Sequence, residues 1–112
     1  MNNRVAVTGI GIVSPVGLDS PTTWANLLAG KSGIAQIASF DTEGFETTVA
    51  AEVTDFDPTS YVDRKQARRM DRFVQLAAAA TLEAVESSGI KISDANRERV
   101  SVMIASGIGG II

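Results

Sequence analysis

The absence of two residue types limits the chemistry that this sequence could perform. The 112 residues include no cysteine and no histidine. A thiolate nucleophile, a serine–histidine–aspartate triad, a disulfide framework and a cysteine or histidine metal site are therefore excluded within the chain. The best-spaced carboxylate pair, Glu83 and Glu86, falls on a solvated helix face rather than in a site. We expect no catalytic residue, no metal ligand and no cofactor-binding residue here.

The basic side chains are concentrated in one short segment. The net charge is −3, yet residues 63–72 hold five basic and two acidic side chains, a local charge of +3. In a continuous helix, four of the bases would project from one side as a positive stripe, at Lys65, Arg68, Arg69 and Arg72. Such a stripe predicts docking of a negatively charged partner, whereas a solvated face balanced by Asp63 and Asp71 is the structural alternative. Nucleic acid is not expected, because no aromatic residue lies between the bases for stacking.

Two glycine-rich segments follow apolar runs. Gly9-Ile10-Gly11 could begin a dinucleotide loop, but Ser14 and Pro15 occupy the positions after it. No helix begins at once to face a phosphate, so a tight bend below a buried sheet is the favoured interpretation. A nucleotide-binding α/β domain remains a rival. The second segment, residues 106–110, lacks the Lys-Ser/Thr of a phosphate-binding loop.

Three strands are predicted around these segments. Residues 5–11 and 100–105 are apolar without in/out alternation, which is typical of strands covered on both faces of a parallel sheet. Residues 47–53 form a third candidate, and residues 31–40 are expected to be irregular.

Three helices are predicted between the strands. One covers residues 22–29, with Asp19-Ser20-Pro21 at its start, Gly30 at its end, and three residues facing inward, Trp24, Leu27 and Leu28. A short helix is expected over 60–69. A long helix over 72–87 begins after Asp71 and stops at Gly89. Its solvent-facing strip consists only of Gln75, Glu83 and Glu86. The alternation of strands and helices predicts an α/β layered fold.

The sequence also favours certain settings for the chain. No targeting segment or membrane-spanning run is convincing, so we expect a cytoplasmic protein without a membrane partner. The glycine-rich loop after the last predicted strand ends at Ile111-Ile112, which is unusually apolar for a terminus. We therefore expect residues 1–112 to be a single, incomplete domain from a larger protein.

Five segments, taken in order, carry a resemblance to a known family. They lie at residues 4–17, 30–34, 40–41, 64–73 and 105–110. Together they resemble the opening of the elongating β-ketoacyl-(acyl carrier protein) synthases, and the Arg-Lys-x-x-Arg-Arg-Met-Asp and Ser-Gly-Ile-Gly-Gly motifs are most similar to the synthase II branch. The resemblance implies a partial thiolase-like fold, namely the first part of its N-terminal half, with a mixed sheet and covering helices.

The resemblance also implies an activity that this chain cannot perform alone. Members of the family are homodimeric acyltransferases that elongate fatty acyl chains by decarboxylative Claisen condensation with malonyl-(acyl carrier protein). Their cysteine nucleophile and two histidines are absent from these 112 residues. The expected function is therefore that of a fragment which is inactive by itself.

Binding residues can be carried over from the family residue by residue. Lys65, Arg68 and Arg69 match positions that dock the acidic carrier protein, and Gly107 and Ile108 match a gate of the acyl pocket. Other interpretations remain open. They are a stand-alone interaction module that uses residues 64–72, a non-catalytic chain-length partner, and a polyketide condensing domain.

Overall fold

A computed structural model describes residues 3–110, and the predicted apolar end at Ile111-Ile112 lies outside the described residues. The helices and strands, in chain order, are α1 (Ser20–Leu28), β1 (Ile34–Gln36), β2 (Val49–Ala51), α2 (Arg64–Ala67) and α3 (Arg72–Ser88). Two short 3₁₀ turns accompany them, Pro58–Ser60 and Arg97–Arg99. The chain forms two compact units. The first is Ile12–Asp57; the second, here called the split unit, combines the residues up to Gly11 with those from Pro58 onward.

Helix α1 of the Ile12–Asp57 unit begins as the sequence predicts. The carboxylate of Asp19 accepts a hydrogen bond from the backbone N–H of Thr22 at 2.7 Å, and Pro21 lies in the first turn. This bond, with a further contribution from the Thr22 side chain, holds the pKa of Asp19 below its ordinary value. After the helix, Gly30 adopts a φ of 68°, which favours glycine.

The inward face predicted for α1 is wrong for the described chain. Trp24 and Leu28 are 63% and 71% exposed, and the buried residue of the helix is Thr23. The Thr23 hydroxyl is 3.0 Å from the hydroxyl of Ser14 and donates to the Gly17 carbonyl at 3.1 Å. A hydroxyl network at Thr23 therefore ties the preceding turn to this helix, in place of the apolar packing that was expected.

Strands β1 and β2 pair antiparallel, with Ala35 opposite Ala50. The strand predicted over 47–53 is confirmed in shorter form, while the irregular structure expected over 31–40 contains β1. Next to the pair, the carboxylate of Glu52 accepts the Ala38 N–H at 2.7 Å and also bonds the Ser39 hydroxyl. These bonds, the Ala38 amide first, lower the pKa of Glu52.

Helix α3 dominates the split unit and matches its sequence prediction closely. Asp71 occupies the N-cap position, although its side chain makes no capping bond, and Gly89 ends the helix in the left-handed region with a φ of 64°. Among the described residues of this unit, Ala67 and Ala79 are the buried apolar side chains.

Glycines 9 and 11 let the chain lie directly against α3. A Cβ on Gly9 would collide with the Ala84 carbonyl, and one on Gly11 with the Ala80 carbonyl. Between them, the hydroxyl of Ser87 accepts the Ile10 N–H at 3.1 Å and bonds the Ile10 carbonyl at 3.2 Å. The glycines thus serve close packing of backbone on helix, which corrects the predicted tight bend.

The two strands expected to be covered on both faces are not formed in the described part of the chain. Residues 5–11 and 100–105 have no ladder assignment. Val5 and Met103, one from each stretch, are 93% and 92% exposed. A strand needs neighbouring backbone groups for its ladder, and residues 3–110 do not provide a sheet beside these stretches.

Replacing Gly11 by alanine should destabilise the split unit, because the new methyl group meets the Ala80 backbone, which cannot rotate away as a side chain can. We expect a loss of about 1–3 kcal/mol in the free energy of unfolding, typical of overpacking. Urea unfolding followed by circular dichroism measures it. Gly107→Ala is the matched control, since no atom lies within 4 Å of its added Cβ. Equal stability of the two variants would contradict the close contact.

Capping by Asp19 should depend on pH. Its pKa is lowered in the folded chain, so its stabilisation is present above the unfolded value of about 3.9 and is lost as pH falls through the folded value. Asp19→Ala should cost about 1 kcal/mol at pH 7. Asp19→Asn should retain an acceptor and lose this pH dependence. Urea midpoints measured at pH 7 and at pH 3 check both variants; an unchanged pH dependence in Asp19→Asn would count against the cap.

Candidate functional site

The basic segment, residues 64–69, is organised by a short capped helix. The carboxylate of Asp63 accepts the backbone N–H groups of Lys65 and Gln66 at 2.9 and 3.0 Å, so α2 begins at Arg64. The helix ends after four residues, with Arg68 at its C-cap position. It is shorter than the helix predicted over 60–69, because Asp63 adopts an extended backbone and separates α2 from the preceding 3₁₀ turn.

The continuous positive stripe predicted from the spacing is wrong in its geometry. The backbone of Asp71 is extended, with φ −62° and ψ 156°, and a new helix starts at Arg72. Lys65 and Arg72 therefore belong to different helices. The predicted carrier-protein residues are nevertheless neighbours in one exposed turn, with Lys65 in α2, Arg68 at its cap and Arg69 just after it.

The charges of the basic segment are not neutralised by salt bridges in the described part of the chain. Arg64, Lys65, Arg68 and Arg69 are all exposed, and within residues 3–110 none of these four forms a salt bridge. The salt bridge recorded in that range joins Arg97 to Asp94 at 3.1 Å. Asp63, which could have balanced the segment, directs a carboxylate oxygen to backbone amides. The arrangement therefore favours the docking interpretation over a self-balanced helix face.

Gln75 connects the basic segment to α3, which the sequence interpretation missed. Its side-chain amide donates to the Ala67 carbonyl at 2.9 Å and to the Met70 carbonyl at 3.3 Å. The residue is half-buried, so the solvent-facing strip predicted for it is wrong. Helical spacing gave no sign of this contact, because the partners lie on the turn before the helix.

Two depressions flank the basic segment. A cleft of about 260 Å³ is lined by Arg64, Arg68 and Gln75, among others. A more apolar groove of about 440 Å³ is lined by residues that include Gln66, Leu82 and Ile104. The segment thus presents positive charge next to apolar surface, a combination suited to a protein partner rather than to a free ion.

The glycine-rich loop packs against the beginning of α3. The Ser106 hydroxyl accepts the Gly109 N–H at 2.9 Å, and Gly109 has a φ of 79°. A Cβ on Gly109 would be 3.9 Å from Cε1 of Phe73, and one on Gly110 would be 2.5 Å from Cγ of Asp71. Gly110 therefore leaves room for the Asp71 carboxylate, and the loop and the basic segment adjoin the same end of one helix.

The predicted acyl-pocket residues lie on the surface of the described chain. Ile108 is 77% exposed, and the Cβ position of Gly107 has no atom within 4 Å. The structure places them in the loop whose end contacts α3, and their role at a pocket stays a prediction.

The described residues contain neither a metal-binding cluster nor a membrane-spanning helix. Across residues 3–110, no group of three or more acidic, histidine or cysteine side chains could hold a metal ion. No helix in this described range has the length and hydropathy needed to cross a bilayer.

Comparisons with known proteins agree on one family. The model of the beta-ketoacyl synthase N-terminal domain matches residues 2–111. Over 108 residues the chain is 49% identical to the 3-oxoacyl-(acyl-carrier-protein) synthase 2 of Coxiella burnetii, a match that covers 96% of the chain and 26% of that protein. The synthase 2 of Staphylococcus aureus strain N315 is 46% identical over 110 residues, covering 98% of the chain and 27% of that protein.

A solved structure has a similar fold. The chain is similar to the ishigamide ketosynthase/chain length factor with a TM-score of 0.69 and 39% identity, covering 76% of this chain and 21% of the other. This similarity confirms the predicted partial thiolase-like α/β fold. The chain spans about a quarter of the length of the curated relatives it matches.

Proposed function

The chain belongs to the beta-ketoacyl synthase N-terminal domain family, and on that premise we propose that it is the opening part of a β-ketoacyl-(acyl carrier protein) synthase II. In this proposal the complete protein elongates fatty acyl chains. The chain supplies the carrier-docking surface and part of the acyl pocket, and the reactive side chains come from the remaining three quarters of the enzyme. The match of nearly the whole chain to about a quarter of each synthase 2 relative supports this division.

The proposed reaction explains why the chain needs a larger protein. An acyl group is transferred to a cysteine thiolate, malonyl-carrier protein loses carbon dioxide, and the resulting enolate attacks the acyl thioester and releases the thiolate. Those steps require an activated thiol and groups that stabilise an oxyanion and an enolate. A sequence without cysteine or histidine contains no such thiol and no imidazole. Its contribution is therefore binding and positioning.

The observation that carries the docking proposal is the exposed, unneutralised charge of the basic segment. Lys65, Arg68 and Arg69 lie together on a chain whose net charge is −3, and within residues 3–110 none of the three forms a salt bridge. An acidic carrier protein would be attracted over roughly 10 Å at 0.1 M salt, and this attraction would increase its association rate. The adjoining apolar groove would add contact area after encounter.

The glycine-rich loop is proposed to act in the complete enzyme. Gly107 and Ile108 are proposed to line the acyl pocket once the rest of the enzyme covers the loop, and the size of the Ile108 side chain would then limit chain length.

The complete enzyme is proposed to be a cytoplasmic homodimer. The resemblance to the β-ketoacyl synthases implies both properties.

A non-catalytic chain-length partner or a polyketide condensing domain is the second candidate. The 39% identity to the ishigamide ketosynthase/chain length factor supports this second candidate. The two candidates differ in the residues beyond this chain, so condensing activity of the complete protein with fatty acyl-carrier protein discriminates them.

Charge reversal in the basic segment should weaken carrier binding. In the complete enzyme, Lys65→Glu combined with Arg69→Glu should raise the apparent KM for malonyl-carrier protein about ten-fold at low salt, because attraction becomes repulsion. Steady-state kinetics at low and high ionic strength measures this change, and the difference from the unmodified enzyme should shrink as salt rises.

The matched control for the charge reversal is Lys91→Glu combined with Arg99→Glu, which changes the net charge equally at exposed residues outside the basic segment. Its KM should stay within about two-fold of the unmodified value. An equal increase in KM for both pairs would mean that overall charge, rather than the basic segment, attracts the carrier.

The 112-residue chain alone should be catalytically silent. Incubation of the purified chain with acyl- and malonyl-carrier protein should give no condensation product by mass spectrometry, because no thiol is present to accept the acyl group. Turnover above the protein-free rate would overturn the assignment of the chemistry to the rest of the enzyme.

A further inference from the structure

We propose that Gln75 is a positioning residue that holds the basic segment in its docking geometry. This inference rests on the proposed carrier-docking function and adds to it a residue that carries no charge. Gln75 lies on the first turn of α3, and its side-chain amide reaches back to two carbonyls of the preceding turn, 2.9 Å to Ala67 and 3.3 Å to Met70.

The short length of α2 makes such a tether necessary. A helix of four residues cannot sustain itself, because forming one turn fixes many dihedral angles for few hydrogen bonds. Asp63 secures its beginning by accepting two backbone N–H groups. At the other end, Gln75 binds the Ala67 carbonyl on the last helical residue and the Met70 carbonyl beyond Arg69. The two docking arginines, Arg68 and Arg69, lie between these attachment points.

The position of Ala67 supports the same role. Ala67 is 4% exposed, whereas Arg68 and Arg69, which follow it directly, are exposed. The turn therefore has a buried, bonded inner side and a charged outer side. Both amide bonds of Gln75 go to backbone carbonyls, so Gln75 can order the charged turn without pairing with the charged side chains themselves.

Order in this turn should act on affinity rather than on chemistry. A partner that binds a preorganised set of charges does not have to restrict the backbone that carries them. Binding is therefore tighter, because the entropy cost of ordering that backbone has already been met in the free enzyme. Loss of the two amide bonds would leave the charge of the segment unchanged but let it sample more conformations. The effect should therefore appear in KM for the carrier protein and not in kcat.

The test uses the complete enzyme with Gln75→Met, which retains a similar side-chain length and removes both donors. The KM for malonyl-carrier protein should rise about five-fold with kcat little changed, while the kcat/KM for a small acyl thioester without a carrier should remain within about two-fold. The small substrate reports on the integrity of the fold and active site. If KM for the carrier does not change, or if both substrates lose activity equally, the positioning role is wrong.

Two further variants separate the donor from the bulk of the side chain. Gln75→His retains an N–H at a similar distance from the backbone and should restore at least half of the lost affinity. Gln36→Met makes the same substitution at an exposed glutamine in β1 and should leave both substrates unaffected. A histidine variant as impaired as the methionine variant would contradict hydrogen bonding as the cause.

Charge reversal distinguishes failure of this inference from failure of the docking proposal. If Lys65→Glu with Arg69→Glu raises KM while Gln75→Met does not, the surface docks the carrier and Gln75 does not position it. If neither change affects KM, the docking proposal and this inference both fail.

Discussion

Two glycines allow the backbone of residues 9–11 to lie directly on helix α3, and the split unit depends on this contact. The carbonyls of Ala80 and Ala84 occupy the space where side chains at positions 9 and 11 would be. The Ser87 hydroxyl bonds the intervening backbone on both its donor and its acceptor side. Segments 77 residues apart in sequence are thus joined by a contact with almost no side-chain volume, and the small side chains of Ala80 and Ala84 suit it.

Helix α3 also organises the parts of the chain that are proposed to act in function. At its beginning, Gln75 holds the turn that carries Arg68 and Arg69, while Phe73 and Asp71 adjoin the end of the glycine-rich loop. One helix therefore supports a charged surface proposed to bind an external partner and a loop proposed to face the acyl chain. The turn and the loop both contact this helix, and a helix is the kind of regular element that gives neighbouring loops a defined position.

The distribution of charge supports the binding role proposed for this chain, and the sequence contains no cysteine or histidine for the proposed chemistry. Exposed basic side chains that form no salt bridge within residues 3–110 can attract an acidic protein efficiently, because little of their field is compensated locally. The sequence contains neither the thiol nucleophile nor the imidazole that the proposed condensation chemistry would use. Docking and chemistry are therefore assigned to different stretches of the proposed enzyme.

Local rules were enough to predict much of the structure. Asp19, Pro21 and Gly30 delimit α1, and Gly89 ends α3, because capping involves only a few neighbouring residues. The family was also recognisable from five short motifs. The lack of cysteine and histidine chemistry follows from composition alone.

Tertiary structure decided whatever depends on residues distant in sequence. Spacing could not show that Asp71 separates Arg72 from the basic segment, that Gln75 bonds the turn before it, or that the glycines at 9 and 11 meet α3. Apolar composition predicted strands at 5–11 and 100–105, yet a strand exists only where another backbone lies beside it to complete the ladder. A sequence determines the local preferences of each segment, whereas contacts between segments determine which preferences are realised.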